Sequence, residues 1–263
     1  MLSGGWRVSN KETTQKTIIV ALVLCVVCSV IVSTAAVVLR PAQKANKERD
    51  FQKNVLMAAD LYDASMSVKE QFKRVEIKVV DLSSGKFTDA VDSDKYDQAK
   101  AAKDPKLSKA LDDEKDIAGL SRLEDYSKVY IISNDQGLDK IILPIRGYGL
   151  WSTLKGFVAL QSDLNTVVGL GYYDQKETPG LGGEVDNPKW KALWGGKKVY
   201  SDGEVALSVI KGTVSDTTPG AQYKVDGLSG ATLTSDGVDN MIKFWLGENG
   251  FAPFLANLKK GAA

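Results

Sequence analysis

The chain has 263 residues, with 34 Lys and Arg against 33 Asp and Glu, two cysteines and no histidine. The missing imidazole excludes Ser-His and Cys-His nucleophile pairs and any histidine-ligated haem or zinc. Two cysteines fall short of the four thiolates that usually hold an iron–sulfur cluster. A net charge of +1 argues against nucleic acid as a partner, because such binders carry a basic excess. Chemistry must therefore come from something the chain binds.

Thr17 to Leu39 is an apolar run of 23 residues without an ionisable side chain. As a helix it would span roughly 35 Å, enough to cross a hydrocarbon core of about 30 Å with some tilt. Ser33-Thr34-Ala35 resembles a signal-peptide cleavage site, but secretory apolar cores run about 7–15 residues, which favours an uncleaved anchor. Arg7, Lys11 and Lys16 precede the span and Arg40, Lys44, Lys47 and Arg49 follow it, so charge alone does not orient it. Without an intramembrane carboxylate the span offers no ion path, and Ser29, Ser33 and Thr34 suit packing against partner helices. Cys25 and Cys28, three apart on one helical face, read as small lipid-compatible packing residues, with ligands or a redox pair shared with a neighbouring subunit as the alternative. The expected division is an N-terminal segment 1–16, a transmembrane helix 17–39, a linker helix 40–66 and a soluble domain 67–263.

In the soluble part, Phe51, Val55, Leu56 and Ala59 keep a helical stripe. Val75–Val79 alternates as a first strand, closed by Ser83-Ser84-Gly85. Asp92–Asp116, dense in Lys and Asp, reads as one or two solvated helices broken near Pro105. Val129–Ile132 and Lys140–Ile145 flank Asn134-Asp135-Gln136-Gly137 as a hairpin; Phe157–Leu160 and Thr166–Tyr173 form a second around Ser162-Asp163. Asn187-Pro188 opens a short helix ending at Gly195-Gly196. Val205–Lys211 is a strand, Ser235–Leu246 a helix, and Phe254–Leu258 a last helix. These elements predict an α+β fold: one N-terminal transmembrane helix, then a single domain with a mostly antiparallel sheet and packed helices.

Asp226-Gly227-Leu228-Ser229-Gly230-Ala231-Thr232-Leu233-Thr234-Ser235 is a turn of small residues leading into a helix. Ser229, Thr232 and Thr234 put three hydroxyls on it, and Gly230 and Ala231 leave Thr232 unshielded. Unpaired amides and the positive dipole end of the helix make a ready phosphate site, although a Ser/Thr-rich helix cap alone has the same composition. Two other stretches stand out. Thr178-Pro179-Gly180-Leu181-Gly182-Gly183-Glu184 lacks the third glycine of a dinucleotide fingerprint, because Val185 occupies that place, and it lacks the Gly-Lys-Ser/Thr of a P-loop. By itself it reads as a tight strand-to-helix connection. Gly147-Tyr148-Gly149-Leu150-Trp151 follows a strand, where Trp151 could serve the core or face a bound ring.

Ser229-Gly230-Ala231-Thr232 resembles the signature of FMN-binding domains that carry flavin on a threonine phosphoester. With the anchor, the GYGLW and TPGLGGEV segments, DGLSGAT and the FWLG tail, the whole chain resembles the family of C subunits of the Na+-translocating NADH:quinone oxidoreductases. More distantly it resembles the equivalent subunit of Rnf complexes. The resemblance implies covalent FMN on Thr232, attached by a separate flavin transferase that reads Asp226 and Gly227, with Thr234 the second choice of acceptor. It implies a loop of Thr178, Gly180, Leu181 and Gly182 lying against the flavin, Leu181 touching the ring, while Trp151 stays open between ring and core. It further implies an electron-relaying subunit, with no catalytic residue of its own, on the path from NADH to ubiquinone. The other subunits would be its partners and the Na+ path would be theirs. The setting would be the bacterial inner membrane, crossed once, with the soluble domain periplasmic. The alternative is a membrane-anchored FMN-binding or structural module of an Rnf-like complex.

Overall fold

The computed structural model describes residues 13–263; residues 1–12 of the expected N-terminal segment, with Arg7 and Lys11, lie outside them. The first helix, α1 (Thr14–Ala58), runs through Pro41. Residues 13–50 are all exposed, so the apolar stretch buries itself against nothing in the chain and is suited to lipid. Cys25 and Cys28 lie on it as exposed free thiols. The helix stops at Ala58, short of the expected 66. Asp60 takes a left-handed φ of 54°, and the Leu61 N–H reaches back to the Leu56 carbonyl at 2.9 Å, the pattern of a helix-terminating turn.

The second compact unit is Arg49–Ala263. In chain order it holds α2 (Val68–Phe72), β1 (Glu76–Asp81), β2 (Lys86–Phe87), α3 (Gln98–Ala101), β3 (Ser108–Ala110) and β4 (Arg122–Glu124). Then follow β5 (Tyr126–Asn134), β6 (Gly137–Tyr148), β7 (Thr153–Gln161), β8 (Val167–Asp174), α4 (Pro188–Ala192), β9 (Tyr200–Ser201) and β10 (Glu204–Val205). The chain ends with β11 (Ser208–Ile210), β12 (Lys224–Asp226), α5 (Thr232–Leu246) and α6 (Ala252–Lys259). The main sheet has the order β2-β1-β5-β6-β7-β8 and is antiparallel throughout. β11 and β12 form a small parallel pair.

Both faces of this sheet are covered, which explains why its central strands read as nearly unbroken apolar runs. Tyr130, Ile132, Ile142, Phe157 and Ala159 face Val55, Leu56 and Ala59. The alternate residues Val129, Ile131, Ile141, Leu143, Val158 and Leu160 share the larger cluster with Val238, Met241, Ile242 and Trp245 of α5. The period of two sends neighbours to opposite sides. Trp245 is anchored as well as buried: its indole N–H donates to the Arg146 carbonyl at 2.7 Å.

Two expectations fail here. Asp92–Asp116 forms one four-residue helix, α3, and the strand β3. Asp92 and Asp104 accept the amides of Asp94 and Lys106 two residues on, local bonds that compete with a helix, whereas Asp97 caps the one helix that forms by accepting the Lys100 amide. The strand expected over Val205–Lys211 is divided into β10 and β11, because the Ala206 and Leu207 amides both turn to the Val199 carbonyl and Leu207 is fully buried.

Phe157 stacks edge-on with Phe51 and Tyr130 at 5.1 and 5.7 Å and lies 5.2 Å from the Tyr173 ring. Phe157→Ala should cost about 3–5 kcal/mol, read as a lowered denaturant midpoint of the detergent-solubilised chain. A loss under about 1 kcal/mol would contradict this packing.

Candidate functional site

The Ser/Thr/Gly motif is closer to a helix than expected, since α5 begins at Thr232 rather than at Ser235. Its N-cap is Ala231, which provides no side-chain cap, so the first-turn amides keep their unspent donor capacity and partial positive charge. Thr232 is exposed, and its hydroxyl makes no hydrogen bond among the described residues. Ser229 and Gly230 are exposed beside it and Ala231 is buried; Gly230 holds a φ of 72°. The Ser229 hydroxyl likewise makes no hydrogen bond among the described residues, whereas those of Thr234 and Ser235 are occupied. Ser235 Oγ accepts from the Leu228 amide at 2.8 Å and donates to the Ala231 carbonyl at 3.1 Å, folding the turn onto the helix. Thr234 is fully buried and donates to Glu177 at 3.0 Å.

Asp226 is half-buried at the edge of a groove and hydrogen-bonded. Its carboxylate accepts the Val214 amide at 2.8 Å, and its carbonyl accepts the Trp190 indole N–H at 2.8 Å. Gly227 lets β12 close on its neighbour, because a Cβ there would lie 2.5 Å from the Ile210 carbonyl oxygen. Beside this strand a groove of about 460 Å³ is lined by Gly180, Asn187, Lys189, Trp190, Leu193 and Ser229, among others.

Glu177, a residue that sequence reasoning did not single out, joins the two glycine-rich loops to the helix. It is 5% exposed. Its carboxylate accepts the Leu150, Trp151 and Ser152 amides at 3.0–3.3 Å, the Ser152 hydroxyl at 3.1 Å and the Thr234 hydroxyl at 3.0 Å. Three successive amides form an anion nest, filled here by the chain's own carboxylate. Burial pushes the acid's pKa up, but the Trp151 amide, the Thr234 hydroxyl and the other donors outweigh it and hold Glu177 below the usual 4.5. The glycines make room for it. A Cβ on Gly149 would lie 2.7 Å from Glu177 Oε1, and one on Gly182 would lie 2.9 Å from Oε2 and 2.5 Å from the Thr234 hydroxyl. The signal in the sequence was the glycines, not the acid.

The structure therefore brings the TPGLGG loop, the GYGLW loop and the head of α5 together. Gly237 completes the approach, since its absent Cβ would sit 2.4 Å from the Tyr148 carbonyl oxygen. Thr178 is exposed, and its carbonyl accepts the Leu181 and Gly183 amides at 3.1 and 2.9 Å. Leu181 is 44% exposed, with Cδ2 within 3.2 Å of a Cβ built on Gly230. Trp151 is 69% exposed, which removes the core reading of this residue.

Gly182→Ala should cost about 1–3 kcal/mol through overpacking, whereas Gly171→Ala, with nothing within 4 Å of the added Cβ, should shift stability by under about 1 kcal/mol; equal effects would contradict the geometry. Because folding lowers the Glu177 pKa, its contribution is complete above the unfolded value and is lost as pH falls through the folded one. The stability gap between the native chain and Glu177→Gln should hold between about pH 6 and 8 and close below about 4.5. A gap that widens in acid would reverse that sign.

Residues 149–247 match the FMN-binding domain family. The C subunit of the Na+-translocating NADH-quinone reductase of Pseudomonas aeruginosa is 55% identical over 260 residues, 97% of this chain and 100% of that protein. The protein of the same name from Pasteurella multocida is 45% identical over 258 residues, 96% of this chain and 97% of that one. The crystal structure of Shewanella oneidensis NqrC superposes with a TM-score of 0.75 at 34% identity, covering 82% of this chain and 99% of its own. These relatives favour the quinone-reductase reading of the motif over the Rnf alternative. With identity of this degree along nearly the whole length, the chain belongs to the family of C subunits of the Na+-translocating NADH-quinone reductases.

Proposed function

We propose that this chain is the covalently flavinylated electron carrier of a Na+-translocating NADH:quinone oxidoreductase, relaying electrons from NADH towards ubiquinone. FMN would be held as a phosphoester on Thr232. The observation that carries the assignment is the division of hydroxyls in the first turn of α5: Thr232 is exposed and makes no hydrogen bond among the described residues, while Thr234 and Ser235 are buried and engaged, and Ser229, also exposed, precedes the helix. Thr234, the second choice of acceptor, would have to break its bond to Glu177 and leave the interior. A partner flavin transferase would take the Thr232 proton and form the O–P bond as an activated FMN donor loses its leaving group. Asp226 and Gly227 would serve that enzyme as part of the sequence it reads, in a turn that the Asp226–Val214 bond shapes.

The residues present fit the group. A diester carries one negative charge where free FMN carries roughly two, and the uncapped first turn of α5 offers amides and dipole to match it. Lys189 is the cation lining the neighbouring groove. When bound, FMN supplies the one-electron transfer. Around it, Thr178, Gly180, Leu181, Gly182, Ser229, Gly230 and Ala231 would shape the bed, and Leu181 would touch the ring. The span 17–39 would cross the bacterial inner membrane once, with residues 1–16 cytoplasmic and the soluble domain periplasmic. Sodium would pass through neighbouring subunits.

A denaturing gel viewed under ultraviolet light tests the attachment, using chain exported normally from a host that has the transferase. Thr232→Ala should lose all flavin fluorescence and Thr234→Val should keep it. A fluorescent Thr232→Ala band would overturn the assignment.

A further inference from the structure

Among the described residues two carboxylates are buried, Glu124 and Glu177. Glu124 is paired with Arg146. Glu177 has no ion pair among the described residues and rests on five neutral donors, three of them the successive amides of Leu150, Trp151 and Ser152. An unpaired buried charge is a costly device for shaping a loop that apolar packing could shape, and such groups gather at functional sites. What it shapes is unusual too. Trp151 has its backbone fixed while its ring stands 69% exposed, without an aromatic or hydrogen-bonding partner among the described residues. Leu150, Leu181 and Leu233, on the elements that meet at Glu177, are 36, 44 and 59% exposed. Exposed large apolar side chains on elements that converge on one buried group suit a surface that something covers.

We infer that Glu177 is the positioning residue of the flavin site: by holding the amides of residues 150–152 against Thr234, it plants the Trp151 indole as a wall for the ring of the flavin attached at Thr232. The inference rests on the covalent-flavin reading. A carboxylate suits this place because three of its five partners are backbone amides, which donate and cannot accept. A glutamine keeping its oxygen on the three amides would set its NH2 against the Leu150 amide and the Thr234 hydroxyl and replace charge-assisted bonds by weaker neutral ones, so the loop carrying Trp151 would loosen.

The test uses the full flavinylated chain in detergent and reads flavin emission, which an indole in contact quenches. Trp151→Phe should raise emission several-fold at unchanged flavin content. Glu177→Gln should raise it to a similar degree, and the double variant should rise no further than either single one. Should Glu177→Gln fail to fold, Ser152→Ala and Thr234→Val each remove one hydroxyl donor and should give a smaller rise. Unchanged emission in Trp151→Phe, unchanged emission in flavinylated Glu177→Gln or in both hydroxyl variants, or effects that multiply in the double variant would overturn the inference. Peptide mass at Thr232 in the native chain keeps the two readings apart, because a bare Thr232 sinks the flavin assignment itself, whereas an esterified Thr232 with unmoved emission sinks the role of Glu177 alone.

Discussion

One carboxylate organises the site. Glu177 draws three amides and two hydroxyls onto itself, and that demand explains features that otherwise look unrelated. Gly149 and Gly182 are small because a side chain at either position would occupy the space of the carboxylate. Thr234 is spent on it, so Thr232 is the threonine of the motif left facing solvent. The cost of burying the charge is offset by hydrogen bonds to an anion, which are stronger than those between neutral groups.

The scaffold makes that arrangement stiff. A sheet covered on both faces places the ends of β6 and β7 on either side of the Tyr148–Ser152 loop, and α5 lies so close that Gly237 touches the Tyr148 carbonyl. Met241 meets Gly147 in the same way, with 2.8 Å between its Cβ and the Cβ that glycine lacks. Ser235, Asp226 and Trp190 fix the other side of the turn. Thr232 thus projects from a helix whose base is packed and whose first amides are open, a geometry suited to carrying a phosphorylated group outside the core while holding its position.

Much of this was legible in the residue order, for physical reasons that differ along the chain. The hairpins of β5 to β8 show because buried strands need apolar residues and their turns need Asn, Asp and Gly. The short helix α4 shows because Asn187 caps it and Pro188 starts it. The acidic stretch from Asp92 misleads, since a helical composition of Lys, Asp and Ala conceals how readily Asp bonds its own backbone. Glu177 was invisible as an acid because its partners lie 25 to 57 residues away in the chain. Trp151 was undecidable for a similar reason: whether it turns inward depends on which group takes its amide. The threonine motif stood out because its chemistry is local, within one turn.

The claim on which the account rests is the ester at Thr232. Its most direct measurement is fragmentation mass spectrometry of the tryptic peptide Val225–Lys243, taken from the chain purified within its native membrane assembly. That peptide should carry the mass of FMN less water, with the fragment series placing it on Thr232. A bare peptide, or an ester placed on Thr234, would contradict it.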